Sequence, residues 1–566
     1  MSGHVNMMDD VLISQLPVSI LRSSLRVLVS QWPGARQTFV DHVRGRLNGS
    51  PPPFTPPKDL FAGSTSLVRC AEYMASTRCL FSSNLASNSL PYLAHLINGI
   101  VETNARWQPN SGLEGLLEKA CGDIVQAIQA LKESLLASID SGARKQELQT
   151  NLTHLSDALW GCEHYCVSNG LSYPFTRAQL QVDDFIALAF PEGQVRSDST
   201  SSPSMTTTEP IDVAIDPIIA GSLEHIQLGS LTIPRLLNGL WQMSSPAWGC
   251  ASSIKQIAAL SQLIQAGLVV TDMADHYGDA ELIYGGFRNR LKPEVRERAL
   301  AASKWCVFRS LKEPVTQELV FNAVQERARR LKGRIDILQF HWNNYEDKNY
   351  LPVLAELVKL TKSHAYLVSH IGLCNFDAEH TDEVCRYLLE KVGEVGIISN
   401  QVQFSLIDSR PLFKMIGVCE MYGIKLLTYG TFCGGFLSDK WLGVKSPEIY
   451  CEAVGLTPSQ RKYYDVISTW GSWSDLQALL YTLKIIADKH RVDVSNVAAR
   501  WVLDCPAVGA VIVGTRLGVS SNVRSNLQVF SFQLDEEDKK KLEAVALGNR
   551  ARNLYERIGD CGTEYR

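Results

Sequence analysis

Between Thr271 and Glu281 the chain reads TDMADHYGDAE, which sets a carboxylate, Asp272, and a phenol, Tyr277, five residues apart just after the apolar run Leu268, Val269 and Val270. A lysine, Lys304, ends the next apolar run (RALAASKW), and a histidine, His341, ends the one after it (RIDILQFHW). These four side chains suit proton transfer. A phenol with an ordinary pKa of about 10 releases its proton poorly at neutral pH, and a neighbouring ammonium favours the phenolate. Lys304 can supply that ammonium, with Asp272 keeping it charged and oriented. A neutral His341 can hydrogen-bond a substrate oxygen and hold it near the phenol. The set fits protonation of a carbonyl oxygen as it becomes an alkoxide. The hydride for that reaction has to come from a cofactor, because no side chain donates one.

The elements that carry these residues form a pattern. Asp272, Tyr277, Lys304 and His341 fall at the carboxyl ends of successive strand candidates separated by helix-like segments, the place where a βα barrel gathers its active site. Eight strand candidates occur after residue 211, at 235–240, 268–272, 299–304, 335–341, 368–374, 396–402, 424–429 and 509–513, with helical periodicity between them. They predict an α/β chain with a (β/α)8 TIM barrel. The long connection after the seventh candidate opens with GTFCGGFLSDKW (430–441), whose glycines allow backbone to approach a pyrophosphate closely. No G-x-G-x-x-G follows a strand, which disfavours a Rossmann fold.

In order along the chain, LLNGLWQ (236–242), DMADHYGDAE, SKW, LQFHW, IGLCNF (371–376), SNQVQFS (399–405), LLTYGTFCGGFLS (426–438) and VIVGTRLG (511–518) resemble the aldo-keto reductases, over about 223–547. The resemblance implies carbonyl reduction, in either direction, on an aldehyde, ketone or sugar-like alcohol. It makes Tyr277 the general acid, gives Lys304 and Asp272 the tuning of its pKa, and has His341 orient the carbonyl. It places nicotinamide contacts on Asn375 and Gln401, a stacking ring at Tyr429, and the adenosine end at Arg516 and Asn526. Gly430 follows Tyr429 in the same cofactor-binding segment. NADPH is the expected cofactor, with NADH possible, since the planar fork of Arg516 suits a 2′-phosphate. The family often has Ser-Asn where this chain has Cys374-Asn375, which weakens the carboxamide contact from the first of the pair. The last helix starts later than in the family pattern, which leaves the contacts of Ser520, Ser521 and Arg524 open. An opening hairpin (226–236) would plug the barrel bottom, as in that family. Trp241, His276, Trp305, Trp342 and Phe432 flank the motifs and are the candidates for walling an apolar substrate pocket. The other functional class is a nucleotide-sensing regulatory module whose helices contact a partner, as in the potassium-channel beta subunits of the same superfamily.

The chain has 566 residues, more than a single barrel of about 250 to 400 residues uses, so a second folded unit should precede the barrel. Residues 1–190 carry helical spacing, as in Leu113, Leu117, Ala120, Ile124, Leu131 and Leu135, and read as an all-α domain of unknown role. Such a stripe reads first as core, and a homodimer or partner-protein surface is its other use. PPPFTPP (51–57) divides the helical part, and the Ser/Thr/Pro-rich stretch 191–210 reads as a disordered linker, with the barrel domain at 211–566. A net charge of −4 without a basic stripe points away from nucleic acid, and no apolar run reaches the ~18 residues of a membrane span. Fourteen scattered cysteines without a C-x-x-C pair read as reduced thiols, and the N-terminus has neither signal-peptide nor transit-peptide layout, so a cytoplasmic location is expected. GCEHYC (161–166) brings Cys162 and Cys166 one turn apart, but His164 points away from both, so no metal site is expected.

Overall fold

The computed structural model describes residues 12–135, 142–191, 209–451 and 454–566, so nearly all of the expected linker at 191–210 lies outside the described residues. The described residues before it form helices joined by short connections, as the periodicity predicts. In helix α1 (Gly112–Leu135), Leu117, Ala120, Ile124 and Leu131 face a core shared with Leu152, Leu155 and Phe175. Helix α2 (Thr176–Ala189) closes this unit and buries polar residues as well, Arg177 and Asp184 among them. The proline cluster is more than a divider. Phe54 stacks on Tyr92 at 4.3 Å between ring centroids, and the Tyr92 hydroxyl donates to the Pro52 carbonyl at 2.7 Å, so the cluster is packed along the helix Ala86–Glu102. The two helices ahead of it, Val18–Gln31 and Pro33–Gly49, leave Val18, Ile20, Leu28 and Phe39 exposed.

The second part is a closed parallel barrel preceded by an antiparallel hairpin, β1 (His225–Leu228) and β2 (Leu231–Pro234). The barrel strands are β3 (Leu236–Gly239), β4 (Val270–Asp272), β5 (Leu300–Val307), β6 (Ile335–Trp342), β7 (Val368–Cys374), β8 (Ile397–Gln403), β9 (Lys425–Tyr429) and β10 (Val508–Gly514). They follow one another around the circle, and β10 closes on β3. All eight match the sequence expectation to within a few residues. Both faces of these strands are buried, one against the barrel interior and one against the surrounding helices, which is why they read as continuous apolar runs. The hairpin turn rests on His370 and Ile398 at the starts of β7 and β8, and the Ser230 hydroxyl meets His370 Nε2 at 2.9 Å, so it covers the amino-terminal end of the barrel. Among the described residues no helix is long and apolar enough to cross a membrane. All fourteen cysteines are unpaired, and Cys162 and Cys166 lie fully buried together.

Candidate active site

At the carboxyl end of the barrel, parallel register brings the four proton-transfer candidates together. Lys304 on β5 stands beside Gln339 on β6, and Cys306 beside His341. Asp272 ends β4, and Tyr277 follows in the turn that leads into α3 (Ala280–Asn289). Lys304 Nζ donates to Asp272 Oδ2 at 2.6 Å and to the Met273 carbonyl at 3.0 Å, and it lies 5.0 Å from the centroid of the Tyr277 ring. Asp272 Oδ1 in turn accepts the amides of Gln339 and Gln401, each at 2.7 Å. Gln339 escaped the sequence reading. It lies two residues before His341 on the same face of β6, a polar side chain turned toward the barrel interior.

Electrostatics separate the four. Burial opposes the charge on Lys304, but the adjoining Asp272 carboxylate outweighs it and holds the ammonium above its ordinary range. Burial raises the Tyr277 phenol well above 10; Lys304 pulls it down and Asp272 pushes it further up, so the phenol is neutral at physiological pH. Desolvation is thus a larger influence on the phenol than the neighbouring Lys304 ammonium. His341 is pushed down to about 4 by burial, and its Nδ1 lies 3.0 Å from the Cys374 carbonyl. A carbonyl only accepts, so Nδ1 carries the proton of the neutral ring and Nε2 is left as an acceptor. The thiol of Cys374 is pushed up to about 12 by burial, and the residue contributes its backbone rather than its side chain.

These groups open into a cavity of about 1100 Å³ that runs from Asp272, Tyr277, Lys304 and His341 to Arg516 and Asn526 at the other end. Asn375, Gln401, Tyr429 and Gly430 line it between, as do Ser520 and Ser521, whereas Arg524 does not. Gln401 Nε2 serves both Asp272 Oδ1 and Gln339 Oε1, which leaves the side-chain oxygen, Oε1, as its acceptor. Arg516 Nε donates to Ser520 Oγ at 3.1 Å. Of the five residues expected to wall a substrate pocket, Trp241, His276 and Phe432 line the cavity, and Trp305 and Trp342 do not. Each follows an inward-facing residue, Lys304 or His341, and strand alternation turns it to the outer face. There Arg327 covers Trp305 at 5.4 Å, and Trp342 Nε1 donates to the Asn344 carbonyl at 2.6 Å.

The wall of the cavity also contains residues that no motif flagged. Phe308 packs edge-on against His276 at 5.1 Å and lies 5.5 Å from the His341 ring. Lys462 comes from helix α5 (Pro458–Trp470), whose start is fixed by a capping box between Thr457 and Gln460. The last residues of the chain return over the mouth. Arg410 is held by Asp408 and reaches Glu564 at 2.8 Å. The Tyr565 hydroxyl meets Lys462 Nζ at 2.5 Å and the Tyr429 hydroxyl at 3.0 Å, and Tyr429 donates to Asn375 Oδ1 at 2.9 Å. Arg566 donates to the Asn375 carbonyl. Beside the site, Asp275, His276 and Cys306 bring ligand-type atoms within 4.8 Å of one another, the one such grouping among the described residues. There the Asp275 carboxylate already accepts from Arg327 and the Cys306 amide, and burial keeps the Cys306 thiol protonated.

The barrel segment matches a known family. Residues 235–547 match the model of the Aldo/keto reductase family. The chain is 24% identical over 366 residues to the chloroplastic pyridoxal reductase of Arabidopsis thaliana, covering 62% of this chain and 92% of that protein. It is 30% identical over 184 residues to flagellar radial spoke protein 5 of Chlamydomonas reinhardtii, covering 30% of this chain and only 33% of that relative. A solved thermostable aldo-keto reductase, Tm1743, aligns with 57% of this chain and all of its own at 21% identity and a TM-score of 0.43. Since the family match spans more than half of its length and coincides with the barrel, the chain belongs to the aldo/keto reductase family.

Proposed function

We propose that the protein reduces an aldehyde or ketone to an alcohol with NADPH, or runs the reverse oxidation, using Tyr277 as the proton donor. The observation that carries this reading is the convergence of a neutral phenol, a buried ammonium paired with Asp272, and a neutral imidazole on one end of the cavity. The residues present fit the cofactor: Gln401 offers an acceptor for a carboxamide N–H, and Arg516 with Ser520 and Asn526 supplies donors at the far end for a 2′-phosphate and ribose. A bound nicotinamide supplies the hydride. Tyr277 gives its proton to the substrate oxygen as negative charge grows there, and the Lys304 ammonium stabilises the phenolate left behind. Asp272 keeps that ammonium charged, while Gln339 and Gln401 fix the carboxylate. With Nδ1 committed to Cys374, His341 accepts through Nε2, which fits the hydroxyl of an alcohol better than a bare carbonyl. Tyr565 and Phe308 add aromatic wall to the cavity beside His341.

The test is oxidation of NADPH, followed by its absorbance, with a panel of aldehydes that includes pyridoxal, the substrate class in the name of the Arabidopsis relative. Turnover that falls about a hundredfold or more in Tyr277→Phe, with NADPH affinity retained, supports the assignment. Wild-type turnover in that variant refutes it. A second reading, a nucleotide-binding subunit of an assembly in the cytoplasm, draws on the similarity to a radial spoke protein and on the exposed apolar residues of the first helices. NADPH binding without turnover of any aldehyde would favour it.

A further inference from the structure

We propose that the helical unit is a working part of the active site, in which Arg177 and Asp184 of α2 are positioning residues for the segment that carries Tyr277. The residues immediately after Tyr277 are tied to that unit. Arg177 grips Asp279 with two bonds, Nε at 2.7 Å and Nη2 at 2.6 Å, and the Asp279 side chain is 0% exposed. Gly278 is tied by two routes. Its carbonyl accepts from Arg330 Nη2 at 2.9 Å, and Arg330, in helix α4 (Gln317–Arg330), also donates to Glu281 at 2.8 Å and to Asp184. Gly278 itself has φ +60°, and Val125 of α1 stands 2.9 Å from where a Cβ would sit, so the α1 surface fits against this turn with no room for a side chain.

The consequence is mechanical. Tyr277 sits in a turn between β4 and α3, where few neighbours of its own hold the backbone. Among the described residues its carbonyl accepts from Ala280 alone and its amide donates to Ala274 alone, both inside the turn. The external restraints on the next two residues come from Arg177 directly and from Asp184 through Arg330. Gln126 of α1 adds one on the facing loop, donating to the Ser244 carbonyl at 3.3 Å. A buried aspartate that lost Arg177 would be left charged without a cation, and the turn would be expected to move to reach water. Displacement of a proton donor by about 1 Å can cost about a hundredfold in rate.

This inference rests on Tyr277 as the proton donor, so the test has one readout independent of turnover. In the full chain, Arg177→Met is combined with Asp279→Asn to give a neutral pair that avoids a stranded charge, and Asp184→Asn is made separately. Amide hydrogen exchange of residues 273–281, NADPH affinity by fluorescence, and kcat and KM for pyridoxal and 4-nitrobenzaldehyde are measured for each. Faster exchange confined to that segment, kcat lower by about tenfold or more, and NADPH affinity within about twofold are expected. Adding Arg177→Lys alone, which keeps a cation, should return kcat most of the way. Unchanged exchange and kcat in a folded neutral-pair variant would overturn the proposal, as would loss of all folding in both variants, which would make the contact structural only. If the parent turns over neither aldehyde, the reading of function fails while the exchange result still decides the positioning.

Discussion

Replacing Asp272 by Asn removes the carboxylate that compensates Lys304 and accepts the amides of Gln339 and Gln401. Taking away one partner of a buried pair costs about 3–5 kcal/mol, because the remaining charge stays desolvated. On the usual scaling, that lowers the melting temperature by about 5–10 °C in a domain of this size. The sign with pH follows from Lys304. In the parent its pKa is held above the ordinary 10.5, so the pair's contribution is fully present below that value and disappears only as pH rises past it. In the variant burial acts without its opponent and the pKa drops below 10.5. The unfolded chain then binds a proton that the folded one resists as pH falls from that value. The gap in melting temperature between parent and variant should therefore be widest near pH 7 and narrow toward about pH 10. Thermal melts of both proteins at the two pH values decide it. A gap that grows with pH, or none at pH 7, refutes the assignment of Asp272 as the counter-ion that keeps this lysine charged.

Arg516→Ala should weaken NADPH by about 1.5–3 kcal/mol and leave NADH nearly unchanged; fluorescence titration with both tests it, and equal losses would sink the phosphate contact. Burial holds His341 down to about 4, so its cost to stability appears as pH falls from about 6.5, reaching about 2 kcal/mol by pH 5. His341→Gln should melt with less loss between pH 7 and 5 than the parent does. Tyr565→Ala removes an aromatic wall worth about 0.5–1.5 kcal/mol and should raise KM for aromatic aldehydes severalfold with kcat little changed; an unaltered KM would exclude Tyr565 from the substrate wall. A fragment of residues 211–566 should keep NADPH affinity, since Gln401, Arg516 and Asn526 all belong to the barrel part, but melt below the full chain because Asp279 and Arg330 lose buried partners. Equal melting would show that those pairs add nothing.

The strands and the four proton-transfer residues were legible because most strands are largely apolar runs, with Asp272, Lys304 and His341 standing out as polar residues toward the ends of three of them, and a parallel barrel has no exposed face to blur that pattern. The same double burial hid the direction of Trp305 and Trp342, which hydrophobicity cannot distinguish from inward residues. Counting by twos from Lys304 and His341 would have turned both outward and would have found Gln339. Tyr565 and Arg566 could not be read, because their partners Tyr429 and Asn375 lie far back in the chain and no periodicity links them. Arg177 and Asp184 were hidden for a related reason. Their helix shows an ordinary amphipathic stripe, and only the docked barrel reveals that its polar side is buried against Asp279 and Arg330.

The hairpin that closes the barrel bottom governs the traffic of reactants. The turn at Gly229 is seated on His370 and Ile398, so the hairpin covers the amino-terminal end of the barrel. On the proposed reading, cofactor and carbonyl would share the mouth bordered by Tyr565, so whichever lies deeper would enter first and depart last. Steady-state kinetics should accordingly be sequential and ordered, with a characteristic pattern of product inhibition: the oxidised dinucleotide competes with NADPH alone, and the alcohol, trapped above a still-bound dinucleotide, slows turnover without displacing it.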